Sequence, residues 1–104
     1  MQVDDHAVME MVRRHLSPQD GNDYRVYYDK EIKNSGEPVR IGLREVPMPC
    51  RGMRVFVDLM PGANWGHRVA YLLVSEDLAH CIRYDEQFPP FGADVPDEWR
   101  SVTA

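Results

Sequence analysis

Apolar residues near the start of the chain recur at three- and four-residue spacings. Ala7, Val8, Met11, Val12 and Leu16 fall on one face of a helix of about three turns over residues 3–16. Asp4 or Asp5 is placed to cap its amino end and favour its dipole. Pro18 disfavours helical geometry at Ser17, and the polar cluster at 19–23 is a turn. The period then changes from helical to alternating. Tyr24, Val26 and Tyr28 alternate with Arg25, Tyr27 and Asp29, and Val39, Ile41 and Leu43 alternate with Arg40, Gly42 and Arg44. With the turn residues of 33–37 between them, these two runs predict a hairpin.

Pro47 and Pro49 remove ladder donors, so residues 46–52 read as a break in the sheet. Residues 53–60 predict a third strand with both faces partly apolar, and residues 67–75 are the most continuous apolar run, expected as the central strand. A turn at 75–78 leads into a fifth strand at 79–84. The predicted fold is α+β, an N-terminal amphipathic helix packed on a strongly twisted antiparallel meander of four to five strands. Val39, Ile41, Leu43, Val55 and Val57, with one set of Val69, Tyr71 and Leu73, are expected to meet Val8, Met11, Val12 and Leu16. The opposite face would then collect Arg40, Arg44, Arg54 and Arg68, with Glu45 and Asp58 among them.

Composition bounds this picture. The chain has 104 residues, enough for one core but not for two domains. Seventeen acids against twelve bases give a formal charge of -5, but the distribution is uneven. Residues 1–84 are nearly neutral, whereas residues 85–104 hold five acids and one base. The division is therefore a single α+β domain at 1–84 and an irregular, proline-rich acidic arm at 85–104, packed on the domain or partly disordered. Ten of the twelve bases are arginine, which favours planar, bidentate partners. The acidity argues against nucleic acid, the lack of a long apolar run against a membrane span, and the acidic residues 1–6 against a signal peptide, so the expected compartment is the cytoplasm.

Candidate chemistry is sparse. The loop 61–67 gathers a large aromatic, an amide and an imidazole in Trp65, Asn64 and His67, with two flexible glycines, Gly62 and Gly66. Phe88, Phe91 and Trp99 give the arm rigid apolar anchors beside negative charge. A thiol nucleophile would require Cys50 to meet His67, but a strand separates them in sequence. His80 and Cys81 are adjacent on a strand and point to opposite faces. No Cys-x-x-Cys or His-x-x-x-His pair, phosphate loop or paired carboxylate is present, so neither a metal nor another cofactor is implied.

A helix wrapped by an antiparallel meander resembles the general plan of cystatin-like folds, which would imply inhibition of cysteine proteases. Here the first hairpin carries Asn34-Ser35-Gly36-Glu37 without a Gln-x-Val-x-Gly pattern, and Pro61 and Trp65 are not adjacent. Such an inhibitor would place the Ser35-Gly36 turn and the Trp65 loop on the edge that holds the amino terminus.

Three functions are expected in order. The first is a small accessory or interaction protein, not an enzyme, that binds a protein partner through Asn64, Trp65 and His67, Arg40, Arg44 and Arg54, and Phe88, Phe91 and Trp99, with a homodimer through any uncovered sheet edge. The second is a small enzyme or ligand-binding protein with a pocket between helix and sheet, using His67 and Cys50 or nearby polar groups. The third is the cystatin-like inhibitor.

Overall fold

Asp4 opens the helix: in the computed structural model, which describes residues 4–102, its carboxylate accepts the His6 N–H at 3.0 Å. Helix α1 runs Asp5–Arg14 and ends at His15, whose N–H bonds back to the Val12 carbonyl. Val3, the expected first apolar position, lies outside the described residues. A short 3-10 turn, Pro18–Asp20, follows. No helix among the described residues is long and apolar enough to cross a membrane.

Seven strands follow among the described residues: β1 Arg25–Asp29, β2 Pro38–Ile41, β3 Arg44–Pro47, β4 Gly52–Asp58, β5 Val69–Ser75, β6 Cys81–Glu86 and β7 Trp99–Ser101. Five form one antiparallel sheet in the order β6-β5-β4-β1-β7, and β2 and β3 form a separate antiparallel hairpin. The architecture is α+β.

Successive strand residues face opposite sides, and here both sides are covered. On one face Val26, Tyr28, Val55, Val57, Leu72 and Val74 pack with Val8, Met11 and Val12 of α1. On the other, Tyr27, Phe56, Tyr71, Leu73 and Trp99 pack with Val39 and Ile41 of the hairpin and with Met48. Full burial of each such side chain stabilises the fold by roughly 1.5–3 kcal/mol. This double cover is why β5 is buried at every position and reads as a continuous apolar run. It is nevertheless an inner neighbour of β4, which holds the centre.

The expected first hairpin is corrected. β1 pairs with β4 and β7, and β2 instead pairs with β3, which begins at Arg44 of the expected second strand and runs to Pro47 in the segment expected to break the sheet. Alternation continued through a two-residue turn, Gly42-Leu43, and so concealed it. Gly42 has φ +64, the conformation required at the first central position of a type II′ turn. Leu43 is 66% exposed at this tip, not in the core. Val39 and Ile41 consequently face the outer side of the sheet, as do Val69, Tyr71 and Leu73, and none of them meets α1. Within the segment after residue 84, β6 extends to Glu86 and β7 adds an edge strand beside β1.

The expected single arginine face does not form, because the hairpin is a layer of its own. Arg54, on β4, lies under the hairpin and donates to Asp29 Oδ2 from Nε and Nη2 at 3.1 and 2.7 Å. Its Nη1 donates to the Arg40 carbonyl, tying sheet to hairpin, and its guanidinium sits 4.8 Å from the Trp99 ring centre. Arg44 pairs with Glu86, and Arg40 is exposed on the hairpin. Arg68 reaches the helix side of the sheet and joins Arg83 on Asp20. The Asp20 side chain is fully buried, and its hydrogen bonds from Arg83, then from the Ser17 N–H and Arg68, hold the carboxyl well below the usual carboxylate range.

Candidate functional site

The loop between β4 and β5 is built on Asp58. Its Oδ1 accepts the Met60 N–H at 3.1 Å and lies 2.8 Å from His67 Nε2, while His67 Nδ1 lies 2.5 Å from the Asn64 carbonyl. The His67 side chain is only 7% exposed. Gly62, at φ +84, supplies the left-handed turn the loop needs after Pro61. The His67 N–H donates to the Gln87 carbonyl, so the loop is also tied to the chain beyond β6.

This clamp presents Trp65 outward. The indole is 50% exposed, with its inner side tilted against Phe88 at 6.4 Å between ring centres. A cleft opens on either side. One, of about 280 Å³, has walls from Arg40 and Gly42 of the hairpin, Tyr71 and Arg54 of the sheet, and Pro89, Pro90, Glu98 and Trp99 of the segment beyond β6. The other, of about 390 Å³, is bounded by Arg25, Tyr27, Asp58, His67 and Phe91.

The walls of the first cleft are fixed. Tyr71 donates its hydroxyl to the Phe88 carbonyl at 2.6 Å, and burial pushes the phenol up to about 12, so it stays protonated. Trp99 is 5% exposed and Arg54 is held by Asp29. Arg40 differs from Arg54: it is exposed and forms no ion pair among the described residues.

The structure thus brings Arg40, Arg54, Trp65 and Trp99 to one cleft, and Trp65, His67 and Phe91 to the next. Asn64 is exposed in the loop, and Phe88 backs Trp65. Phe91 packs edge-on against Tyr27 and Phe56 and, with Trp99, completes the outer core. Arg44 stands apart, on Glu86 and over the Tyr84 ring. Sequence reasoning missed Asp29 and Asp58's role as loop anchor. Of these, only Asp58 carried a local signal, as an acid two residues before the turn.

Both imidazole nitrogens face oxygen atoms of the chain itself, the Asn64 carbonyl and the Asp58 carboxylate. Cys50 stands beyond the start of β4 and His67 beside its end, so the two do not meet. Cys50 and Cys81, both free thiols, instead line a third cleft of about 520 Å³ with His15 and His80. Burial pushes the Cys81 thiol up to about 11, which leaves it protonated and a poor nucleophile at neutral pH. Among the described residues no group of three or more His, Cys, Asp and Glu side chains is placed to hold a metal ion.

The space between α1 and the sheet is packed core, so the pocket expected there is replaced by clefts on the outer face. The 34–37 turn joins the start of β4 through Lys33 and Gly52, whereas the Trp65 loop leaves its end. The two do not share an edge, so the wedge of the cystatin-like plan is not assembled. No family model matches the chain, and no curated protein or solved structure matches it.

Proposed function

We propose that the protein is a small accessory module that binds another protein across the outer face at Trp65, the partner offering an apolar side chain beside a carboxylate. The observation that carries this reading is the half-exposed Trp65, fixed at its base and flanked by two clefts. Tryptophan and arginine are the residue types that dominate interface energetics. Arg40, exposed at the rim of the smaller cleft without an ion pair, supplies the group that would meet a carboxylate.

A photo-crosslinking residue at position 65, introduced in the source cells, tests this. A discrete covalent protein adduct is expected from position 65, weakened by Arg40→Ala, and absent when the crosslinker replaces the exposed Arg14 of α1. Identical adducts from both positions, or none from position 65, would refute it. A second reading, a small ligand in the 390 Å³ cleft beside His67, is favoured by its enclosure between the loop and Phe91. It predicts that a captured small molecule, not a protein, protects Trp65 from fluorescence quenching by acrylamide.

A further inference from the structure

The two edges of the five-stranded sheet are unequal. β7 has three residues and begins three positions after Pro96, whereas β6 offers six residues in unbroken register with β5 and contains no proline, lysine or bulge. Those are among the devices by which open edges are blunted, and the charges β6 does carry, Arg83, Asp85 and Glu86, are of both signs.

The phase of the ladder fixes what β6 presents. The Ser75 N–H donates to the His80 carbonyl at 2.9 Å, and with the β5–β6 register this directs the backbone groups of residues 80, 82, 84 and 86 toward β5. The N–H and C=O groups of Cys81, Arg83 and Asp85 therefore point away from the sheet, and no backbone group among the described residues meets them. Beside them Ile82 is 44% exposed.

We propose that β6 is a self-association edge, on which two copies of this chain pair β6 against β6, antiparallel, about a two-fold axis at Tyr84. Hydrogen bonding through the outward groups requires the axis to pass through a residue, not between two. An axis at Arg83 sets arginine against arginine, and one at Asp85 sets aspartate against aspartate. An axis at Ile82 sets Arg83 opposite Cys81 of the partner subunit, which offers no opposite charge. Only the axis at Tyr84 sets Arg83 opposite Asp85 of the partner subunit, and does so twice. Arg83 is already fixed for this by Asp20, at 2.9 and 3.0 Å, while Asp85 is 64% exposed and free to exchange its own Arg83 for the partner's. The two Tyr84 residues then form a non-hydrogen-bonded pair, with Cα atoms about 4.5 Å apart.

Analytical ultracentrifugation tests the edge and cross-linking tests the register. At about 100 μM, enough to populate a micromolar dimer, the wild type is expected at twice the 12.0 kDa of one chain. Asp85→Arg sets like charges opposite each other, and Asp85→Pro removes an outward N–H without touching the β5 ladder. Each is expected to raise the dimer dissociation constant about tenfold or more, with unchanged circular dichroism, whereas Trp65→Ala leaves it unaltered. With Cys50 and Cys81 replaced by alanine, oxidised glutathione is expected to link Tyr84→Cys chains into a covalent dimer and to leave Ile82→Cys chains unlinked. A monomeric wild type, a dimer indifferent to both Asp85 substitutions, or linkage at 82 and not 84 would overturn the proposal. If the Asp85 variants unfold, the cross-link decides.

Discussion

The two faces of the sheet are buried by opposite strategies. The inner face is mostly aliphatic and covered by one local element, α1, whose Val8, Met11 and Val12 meet β-branched and leucine side chains. The outer face is largely aromatic, with Phe56 touching Tyr27, Tyr71, Phe91 and Trp99, and its cover comes from separate pieces: the β2–β3 hairpin and the segment beyond β6. A single helix closes its face, but a cover in pieces leaves seams. Two clefts lie along those seams, with Trp65 between them, and the proposed recognition surface is there.

The sharpest way to break this comparison is to empty each core in turn. Phe56→Ala on the outer face is expected to cost about 4 kcal/mol, and Leu72→Ala on the inner face about 3 kcal/mol, in urea unfolding. If Phe56→Ala cost under about 1 kcal/mol, the outer cover would be loosely docked rather than a second core.

Next in size are the buried acids, one on each side. Asp29→Ala strands Arg54 under the hairpin and is expected to cost about 3 kcal/mol. On the inner side Asp20 gives a pH signature. Its carboxyl titrates below its ordinary 3.8 in the folded chain, so its stabilisation is complete above that value and is lost as pH falls through the lowered one. The wild type should therefore lose stability progressively below about pH 4, and Asp20→Asn should start lower and show a flatter acid limb. An identical acid limb in both proteins would remove Asp20 as its source.

Smaller effects sharpen the contrast. Asp4→Ala removes the N-cap of α1 and should cost about 1 kcal/mol, loosening only the inner face. Trp65→Ala should change stability by less than about 0.5 kcal/mol, since half the indole is exposed. A large stability loss from Trp65→Ala would make the indole part of the core and take away its role in recognition.

Much of the inner half was legible in the chain. The three- and four-residue spacing from Val8 to Leu16 and the alternation within residues 53–58 follow from the periods of helix and strand, which are local properties. The outer half was not. Gly42 and Leu43 continued an alternating pattern through a turn, and Pro47 lies in β3 because that strand pairs on one side only. The candidate site was half visible: Trp65 and His67 stood out by residue type, whereas Asp29 looked ordinary until the fold placed it.

By itself, the sequence determined one helix, strands at their approximate positions and the aromatic loop, because each depends on neighbours within a few residues. Only the tertiary structure decided which strand lies beside which, that Arg44 and Arg68 part company with Arg40 and Arg54, that Phe91 and Trp99 turn inward, and that β6 is left as an edge. Those outcomes depend on pairings between residues far apart in the chain, whose free energies come from burial on a shared face and leave no periodic trace in either partner alone.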